Sequence, residues 1–433
     1  MDSNPKVTLI IPVKDRKEYL YHTLRTCMSQ DYQNFEIIVA DDASTDGTQE
    51  MVRILSNEDK RITLIDRPER VGMRDNFEDA LSRIKEGYVI AIGGDDGIMP
   101  HGISRMVQKF KETNVKLMTW NPPLFEYPRE MRENGRFSIS YVKGDYMVES
   151  ATYLSRQPQM LNYLDDKECP MFYVKGAAHI SLIEKVKSRT KDGRFYSCPT
   201  PDGYSGIVLA GEVKEFYFSY EPYTLYGVSP SSQGLAYTLK DKKAKENSKE
   251  FFKFSEKQSM HYVLAHQPYS PLLSLMTVDY LMTAKDLPGW AGDFPEIDYK
   301  NVIRKSLSEM AHSYDDSRIQ REIYILEAIA KMHGLQEYYH DLLRTMKKYT
   351  PCPIEYKTAI SRERIYIDSQ MLGLKNICDA SYAAEYFIKL KPFIGLKFYF
   401  NALKRSLKIR FRKKIVRGDF LTELKIIESE IND

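Results

Sequence analysis

The sequence predicts an α/β fold: a doubly wound, mainly parallel sheet followed by a helical region. Three observations predict it. Short β-branched runs alternate with stretches of helical spacing from Val7 to Trp120, joined by short loops. Two of those runs end in acidic loops, Asp41-Asp42 and Asp95-Asp96, at strand ends that a parallel sheet brings to one edge. From Lys240 onward helical periodicity replaces the alternation, and Pro268, Pro271, Pro288 and Pro295 separate the pieces.

The elements follow in order. Val7 to Pro12 is a β-branched run closed by proline, a first buried strand. Glu18 to Gln30 places Leu20, Leu24 and Cys27 or Met28 on one helical face. Phe35 to Ala40 is a second strand, and Ser44, Thr45 or Asp46 can cap the helix carrying Met51, Val52 and Leu55. Arg61 to Asp66 is a third strand, and Asp75 to Ile84 a helix with Phe77, Ala80, Leu81 and Ile84 inward. Val89 to Ile92 is a fourth buried strand, stopped by Gly93-Gly94 and followed by Asp95, Asp96, Gly97 and Pro100. A helix around Ile103 to Phe110 and a strand at Leu117 to Trp120 continue the pattern. Asn121 to Gly144, rich in Pro, Arg and Glu, reads as an excursion over the surface. Glu215 to Tyr220 and Tyr223 to Tyr226 are aromatic, strand-favouring runs. Lys240 to Lys249 reads as a charged, solvated stretch, ahead of helices around 272–281, 302–311, 319–332 and 338–346.

Composition narrows the functional classes. The 433 residues carry 42% hydrophobic and 28% charged side chains, as in a globular protein of two or three domains. A net charge of only +3 argues against a nucleic-acid binder. Five cysteines at wide spacings, with no Cys-x-x-Cys pair, point away from zinc or a redox dithiol and toward reduced thiols in the cytosol. The N-terminus lacks a signal-peptide pattern, and no apolar run reaches bilayer length. The five scattered histidines from His261 to His340 have no ligand spacing. No Gly-x-Gly-x-x-Gly follows the first strand, which argues against a dinucleotide-binding dehydrogenase.

Two carboxylates at a strand end can hold a divalent cation, and through it a diphosphate. Asp95 and Asp96 read equally as turn residues that cap the next helix. Five segments decide between these readings by their order: Pro12-Val-Lys-Asp-Arg16, Gln30-Asp-Tyr32 with Asn34-Phe-Glu-Ile-Ile-Val39, Asp41-Asp-Ala-Ser-Thr-Asp-Gly-Thr48, Gly72-Met-Arg-Asp-Asn76 and Gly94-Asp-Asp-Gly-Ile-Met-Pro100. Together they resemble the family 2 glycosyltransferases. The resemblance implies the GT-A fold, a nucleotide-diphospho-sugar donor (a UDP-sugar first), an inverting transfer and a divalent metal, Mn2+ or Mg2+.

Carried over residue by residue, the resemblance puts Pro12, Val13, Asp15 and Asp41 in the nucleotide-sugar site, with Asp41 accepting an N–H of the base. Arg74 resembles the arginine of the family's Ala-Arg-Asn segment. Asp95 looks like the second acid of the metal-binding Asp-x-Asp and Asp96 like the acid that follows it, so the pair is the implied metal site. Gly93 stands where the family has its first acid. Met171 to Glu184 looks like the strand lining the donor-sugar and acceptor cleft, which adds Lys175 and Gly176 to the donor site. Gly193 to Tyr204 resembles the block whose Asp is the catalytic base, and Asp202 matches it, with Pro201 replacing the usual Glu. Thr200-Pro-Asp is also a good helix start, which makes Asp202 an N-cap in the competing reading. The loop Gly227 to Gly234 offers Ser229, Ser231, Ser232 and Gln233 where relatives carry a histidine. It reads as a donor-covering loop or a plain linker.

The expected organisation is a GT-A domain over 1–235, an α-helical domain over 236–380 and a basic amphipathic helical segment over 381–433. Phe393 to Arg417 contains no acid, and its apolar residues recur at helical spacing among lysines and arginines. Such a helix suits an anionic membrane surface, packing on the protein's own body, or RNA. The expected activity is sugar transfer to a glycan or lipid-linked acceptor in capsule or O-antigen-type polysaccharide synthesis. It would take place in the cytoplasm, peripherally on the inner face of the membrane. The alternative is a non-catalytic nucleotide-sugar-binding or scaffold protein.

Overall fold

The structure, a computed structural model, describes residues 4–129, 133–232, 242–311, 316–350, 358–361, 363–390 and 415–419. The N-terminal half alternates as the sequence predicts: β1 (Val7–Val13), α1 (Lys17–Met28), β2 (Phe35–Asp41), α2 (Thr48–Glu58), β3 (Ile62–Asp66), α3 (Met73–Ser82), β4 (Tyr88–Ala91), β5 (Gly97–Ile98), α4 (Gly102–Thr113) and β6 (Leu117–Trp120). Then come β7 (Leu124–Glu126), β8 (Arg136–Ser140), β9 (Asp145–Glu149), α5 (Ser150–Met160), β10 (Gly176–His179), α6 (Ile180–Lys187), α7 (Pro201–Ala210), β11 (Glu215–Ser219) and β12 (Thr224–Val228).

An eight-stranded sheet, ordered β3-β2-β1-β4-β10-β6-β11-β9, forms the centre. β3, β2, β1 and β4 run parallel; β10 enters antiparallel between β4 and β6. The central strands β1, β2 and β4 are mostly apolar because helices cover both faces. Ile10, Ile38, Val89 and Ala91 meet Phe77 and Leu81 of α3 on one face, while Leu9, Ile11, Ile37 and Ile90 meet Leu20 and Leu24 of α1 on the other. Pro12 sits inside β1 without penalty: β4 ends at Ala91, opposite Ile10, so Pro12 has only β2 as a neighbour.

The helical run comprises α8 (Lys242–Ser255), α9 (Leu273–Lys285), α10 (Tyr299–Met310), α11 (Asp316–Met332) and α12 (Gln336–Thr345). Leu275, Val278, Ile303, Leu307, Leu326 and Ile329 build its own core. The chain then returns to the N-terminal body. β14 (Thr358–Ile360) and β15 (Arg364–Asp368) extend a second sheet ordered β14-β15-β8-β7-β12-β5, and α13 (Ile377–Leu390) lays Ile377, Ala380 and Ala384 against Met99, Phe125, Phe137 and Leu225. β13 (Lys347–Thr350) pairs with β16 (Ile415–Asp419).

Several expectations are refined or corrected. Asn121 to Gly144 is no surface excursion: β7 and β8 bury Phe125, Phe137 and Ile139. The alternation of apolar and polar residues there is the period of a half-buried antiparallel strand, hidden by the prolines around it. The charged stretch from Lys240 is helical from Lys242, where α8 begins, and Lys249 within it is exposed as expected. Asp95 and Asp96 do not cap the following helix; His101 precedes α4 in that role. The basic run from Phe393 lies outside the described residues up to Lys414, and its last residues, from Ile415, are strand rather than helix. Among the described residues no helix is long and apolar enough to cross a membrane.

Candidate active site

A cavity of about 950 Å³ opens at the carboxyl edge of β1 and β4 and runs on between α7 and the helical region. Its walls include Pro12, Val13, Asp15, Asp42, Arg70, Asp95, Asp202 and Tyr226. Several of the loops that converge here are fixed by backbone-to-carboxylate hydrogen bonds.

At the near end, Asp15 has a left-handed backbone (φ 49°) and its Oδ1 accepts the Thr45 N–H at 2.7 Å. Burial pushes its carboxyl up, but the bonds from Lys14 and Thr45 and the Lys14 charge outweigh that and hold it below the usual range. Asp42 accepts the N–H groups of Val71 (2.7 Å) and Gly72 (3.2 Å), which ties the loop before α3 to the end of β2. Arg70 on that loop stacks over Phe254, 4.8 Å from the ring centre, and pairs with Glu250 at 2.6 Å. Arg16 donates to the Ser231 carbonyl. Three cations thus line this end: Lys14 paired with Asp15, Arg70 paired with Asp42 and Glu250, and Arg16, which has no carboxylate partner among the described residues.

The acidic pair divides its work. Asp96 is fully buried, and its two oxygens accept the Gly93 N–H (2.5 Å) and the Gly227 N–H (2.7 Å). Burial, and then the Asp95 charge, push its carboxyl well above the usual range. It is a stitch between the turn and β12, and it is absent from the cavity wall. Asp95 does face the cavity; its Oδ2 accepts the Ser229 N–H and the Ser229 and Ser232 hydroxyls at 2.6–3.1 Å. Its Oδ1 lies on the Gly93 side, 3.1 Å from where a Gly93 Cβ would stand. A two-carboxylate metal site is therefore not what these residues build. Among the described residues no group of three or more His, Cys, Asp or Glu that could hold a metal ion forms, and Asp95 is the member of the pair that faces the cavity.

The missing first acid has a steric cause. A Cβ on Gly93 would meet the Tyr173 hydroxyl at 2.5 Å and Asp96 Oδ2 at 3.0 Å, so the phenol fills the space an acid would need. Gly227 is fixed in the same way, because a Cβ there would fall 1.7 Å from the Asp95 carbonyl oxygen.

Asp202 lies on the opposite wall, in the first turn of α7. It is not the cap. Thr200 holds that position, and its hydroxyl bonds Tyr280 instead of the helix. No side-chain donor among the described residues meets the Asp202 carboxylate; its carbonyl accepts the Ser205 hydroxyl. Burial pushes the carboxyl up to about 6. The phenols of Tyr173 and Tyr226 are raised by burial first and then by Asp95, Asp96 and Asp202 together, which places the three carboxyls around one aromatic pocket. The loop ahead of Asp202 is anchored to the donor side. Glu78 of α3 accepts the N–H groups of Phe195 (3.0 Å) and Tyr196 (2.9 Å), and Arg194 pairs with Asp75 at 2.9 Å.

The structure thus brings Pro12, Val13, Asp15, Asp95 and Asp202 to one cavity, and leaves Asp41, Arg74, Asp96, Lys175 and Gly176 off its wall. Asp41 is fully buried; Oδ2 accepts from Ser44 and Gln49, while Oδ1 has no partner among the described residues. Arg74 pairs with Asp75. The Lys175 ammonium is buried and donates to the carbonyls of Asp166 and Lys167, so it holds a loop together. A Cβ on Gly176 would strike the Met171 carbonyl at 2.4 Å, a packing reason for that glycine. Sequence reasoning missed Arg16, Arg70, Tyr173 and Tyr226. Arg16 closes a motif already singled out; Arg70 and the two tyrosines carried no local signal.

Residues 8–154 match the family model described as Glycosyl transferase family 2. A GalNAc(5)-diNAcBac-PP-undecaprenol beta-1,3-glucosyltransferase of Campylobacter jejuni is 29% identical over 109 residues, 25% of this chain and 35% of that relative. An uncharacterized glycosyltransferase of Haemophilus influenzae is 32% identical over 115 residues, 27% of this chain and 46% of that relative. The matches thus span less than half the length of these curated relatives. Among solved structures, Staphylococcus aureus TarS 1-349 in complex with UDP aligns over 82% of this chain and 94% of its own, at 14% identity and a TM-score of 0.41.

Proposed function

We propose that this chain, whose residues 8–154 match the family model of the family 2 glycosyltransferases, is a glycosyltransferase that moves a sugar from a nucleotide-sugar, a UDP-sugar first, to a hydroxyl acceptor with inversion. The observation that carries the reading is Asp202: a carboxylate on the wall of the same cavity as Asp95, unpaired with any cation and raised to about 6. An acceptor hydroxyl is a poor nucleophile until a base takes its proton. In the proposed step the hydroxyl oxygen attacks the anomeric carbon as Asp202 removes the proton. The bond from that carbon to the diphosphate oxygen breaks, and its electrons leave with the nucleoside diphosphate. Lys14, Arg16 and Arg70 offset the charge that develops there.

The Asp41 Oδ1, which has no partner among the described residues, would suit an N–H of the base. A divalent cation, Mn2+ or Mg2+, would be held by Asp95 and would supply further charge compensation for the leaving group. The glycan or lipid-linked acceptor, the capsule or O-antigen pathway and a peripheral place on the inner membrane face are drawn from the resemblance and the basic C-terminal sequence, and belong to this proposal alone.

The test is nucleotide release from a panel of nucleotide-sugars by the wild-type chain and Asp202→Asn. Turnover in the wild type and its loss in the variant, with UDP binding intact, supports the reading. UDP binding without turnover in either chain supports the scaffold alternative.

A further inference from the structure

Beyond Asp202 the cavity continues into the helical region, and its character changes. Leu164, Phe254, Leu272, Met276, Met310 and Ile319 wall this arm. The polar side chains among them are occupied internally. Glu309 accepts the N–H groups of Leu273 (2.7 Å) and Ser274 (3.1 Å) at the start of α9. Glu322 accepts from Ser270 and Arg321, and Asn162 and Asp165 bond each other at 2.8 Å. A sugar needs free donors and acceptors, and the interior of this arm offers aliphatic carbon and thioether instead. Methionine and leucine adapt to a flexible chain without a fixed shape. Lys305, the exposed Ser308, Glu250 and the phenols of Tyr163 and Tyr269 complete the polar part of the lining.

We propose that this arm takes the hydrocarbon part of an amphiphilic acceptor, an acyl or isoprenoid-type chain, whose sugar hydroxyl lies at Asp202. The inference rests on the reading of Asp202 as base, and adds to it the class of acceptor: a glycolipid rather than a free oligosaccharide. The continuity of the arm with the polar cavity is what commits it to an acceptor, since one molecule must fill both.

The full chain is titrated calorimetrically with methyl, hexyl and octyl glucoside, each below its micelle concentration. The affinity is expected to rise by up to about fourfold for each added methylene until the arm is full. Met276→Trp fills the arm, and Leu164→Asp charges its edge at a side chain that is 47% exposed and so tolerates the change. Both are expected to flatten the chain-length dependence while UDP binding stays as in the wild type. Equal binding of the three glucosides by the wild type, or a length dependence that survives in both variants, overturns the proposal. Chain-length dependence is a binding readout, so it stands or falls separately from the turnover test of Asp202.

Discussion

Replacing Asp202 by Asn should move activity and stability in opposite directions. The carboxyl is raised from 3.8 to about 6 by burial, with no cation nearby to compensate. A group raised in the folded state contributes stability below its unfolded pKa and loses it as pH rises through the folded value. The fold therefore bears a cost at pH 7 that the neutral amide removes. Two units correspond to at most about 3 kcal/mol, and less in practice because the carboxyl faces an open cavity. Denaturant melts at pH 7.5 should show the variant as stable as the wild type or more so, with the difference vanishing near pH 4. Turnover should fall by about 10²–10⁴, the usual contribution of a general base. In the wild type, kcat/KM should decline below pH 6, to roughly a tenth of its plateau at pH 5. Over that same range protonation stabilises the carboxyl, so unfolding of this site does not explain the decline. A variant that keeps its turnover, or one that is less stable than the wild type at pH 7.5 and unchanged at pH 4, would refute the reasoning.

Asp96→Asn places an amide hydrogen against a backbone N–H and should cost about 1–3 kcal/mol in urea unfolding, while leaving the Mn2+ dependence of UDP binding intact. Asp95→Asn should do the reverse, weakening any metal effect with a smaller stability loss. Arg16→Ala frees the Ser231 carbonyl and removes a cation from the donor end. UDP affinity should drop about tenfold by calorimetry, the scale of a lost charge-assisted contact, and an unchanged Kd would remove Arg16 from the donor site. Gly93→Ala drives a methyl into the Tyr173 hydroxyl; its destabilisation should be relieved by a second change, Tyr173→Phe, and additive losses in the double variant would disprove that contact.

The sheet was legible because its strands are buried on both faces, which makes each a continuous apolar run between polar loops. Their order along the chain also placed Pro12, Asp95 and Asp202 in advance at one cavity. What stayed hidden depends on long-range pairing. β7 and β8 are short and set among prolines, and β15, which pairs with β8, lies more than two hundred residues further on. The division of labour between Asp95 and Asp96 was equally hidden, because adjacent residues in a turn face different partners and only the crossing of β12 at Gly227 decides which. Lys175 misled for the same reason. A lysine near a cleft suggests a phosphate ligand, but here the loop at Asp166 and Lys167 folds over its ammonium.

The return of α13 to the N-terminal body has a practical consequence. Ile377 lies 2.9 Å from where a Gly97 Cβ would stand, one residue past Asp96, and the helix seals the apolar surface of β7, β8 and β12. A fragment ending near residue 235 would expose that surface and leave the acidic turn without its backing. During synthesis that apolar surface therefore stays uncovered until α13, which ends at Leu390, has left the ribosome.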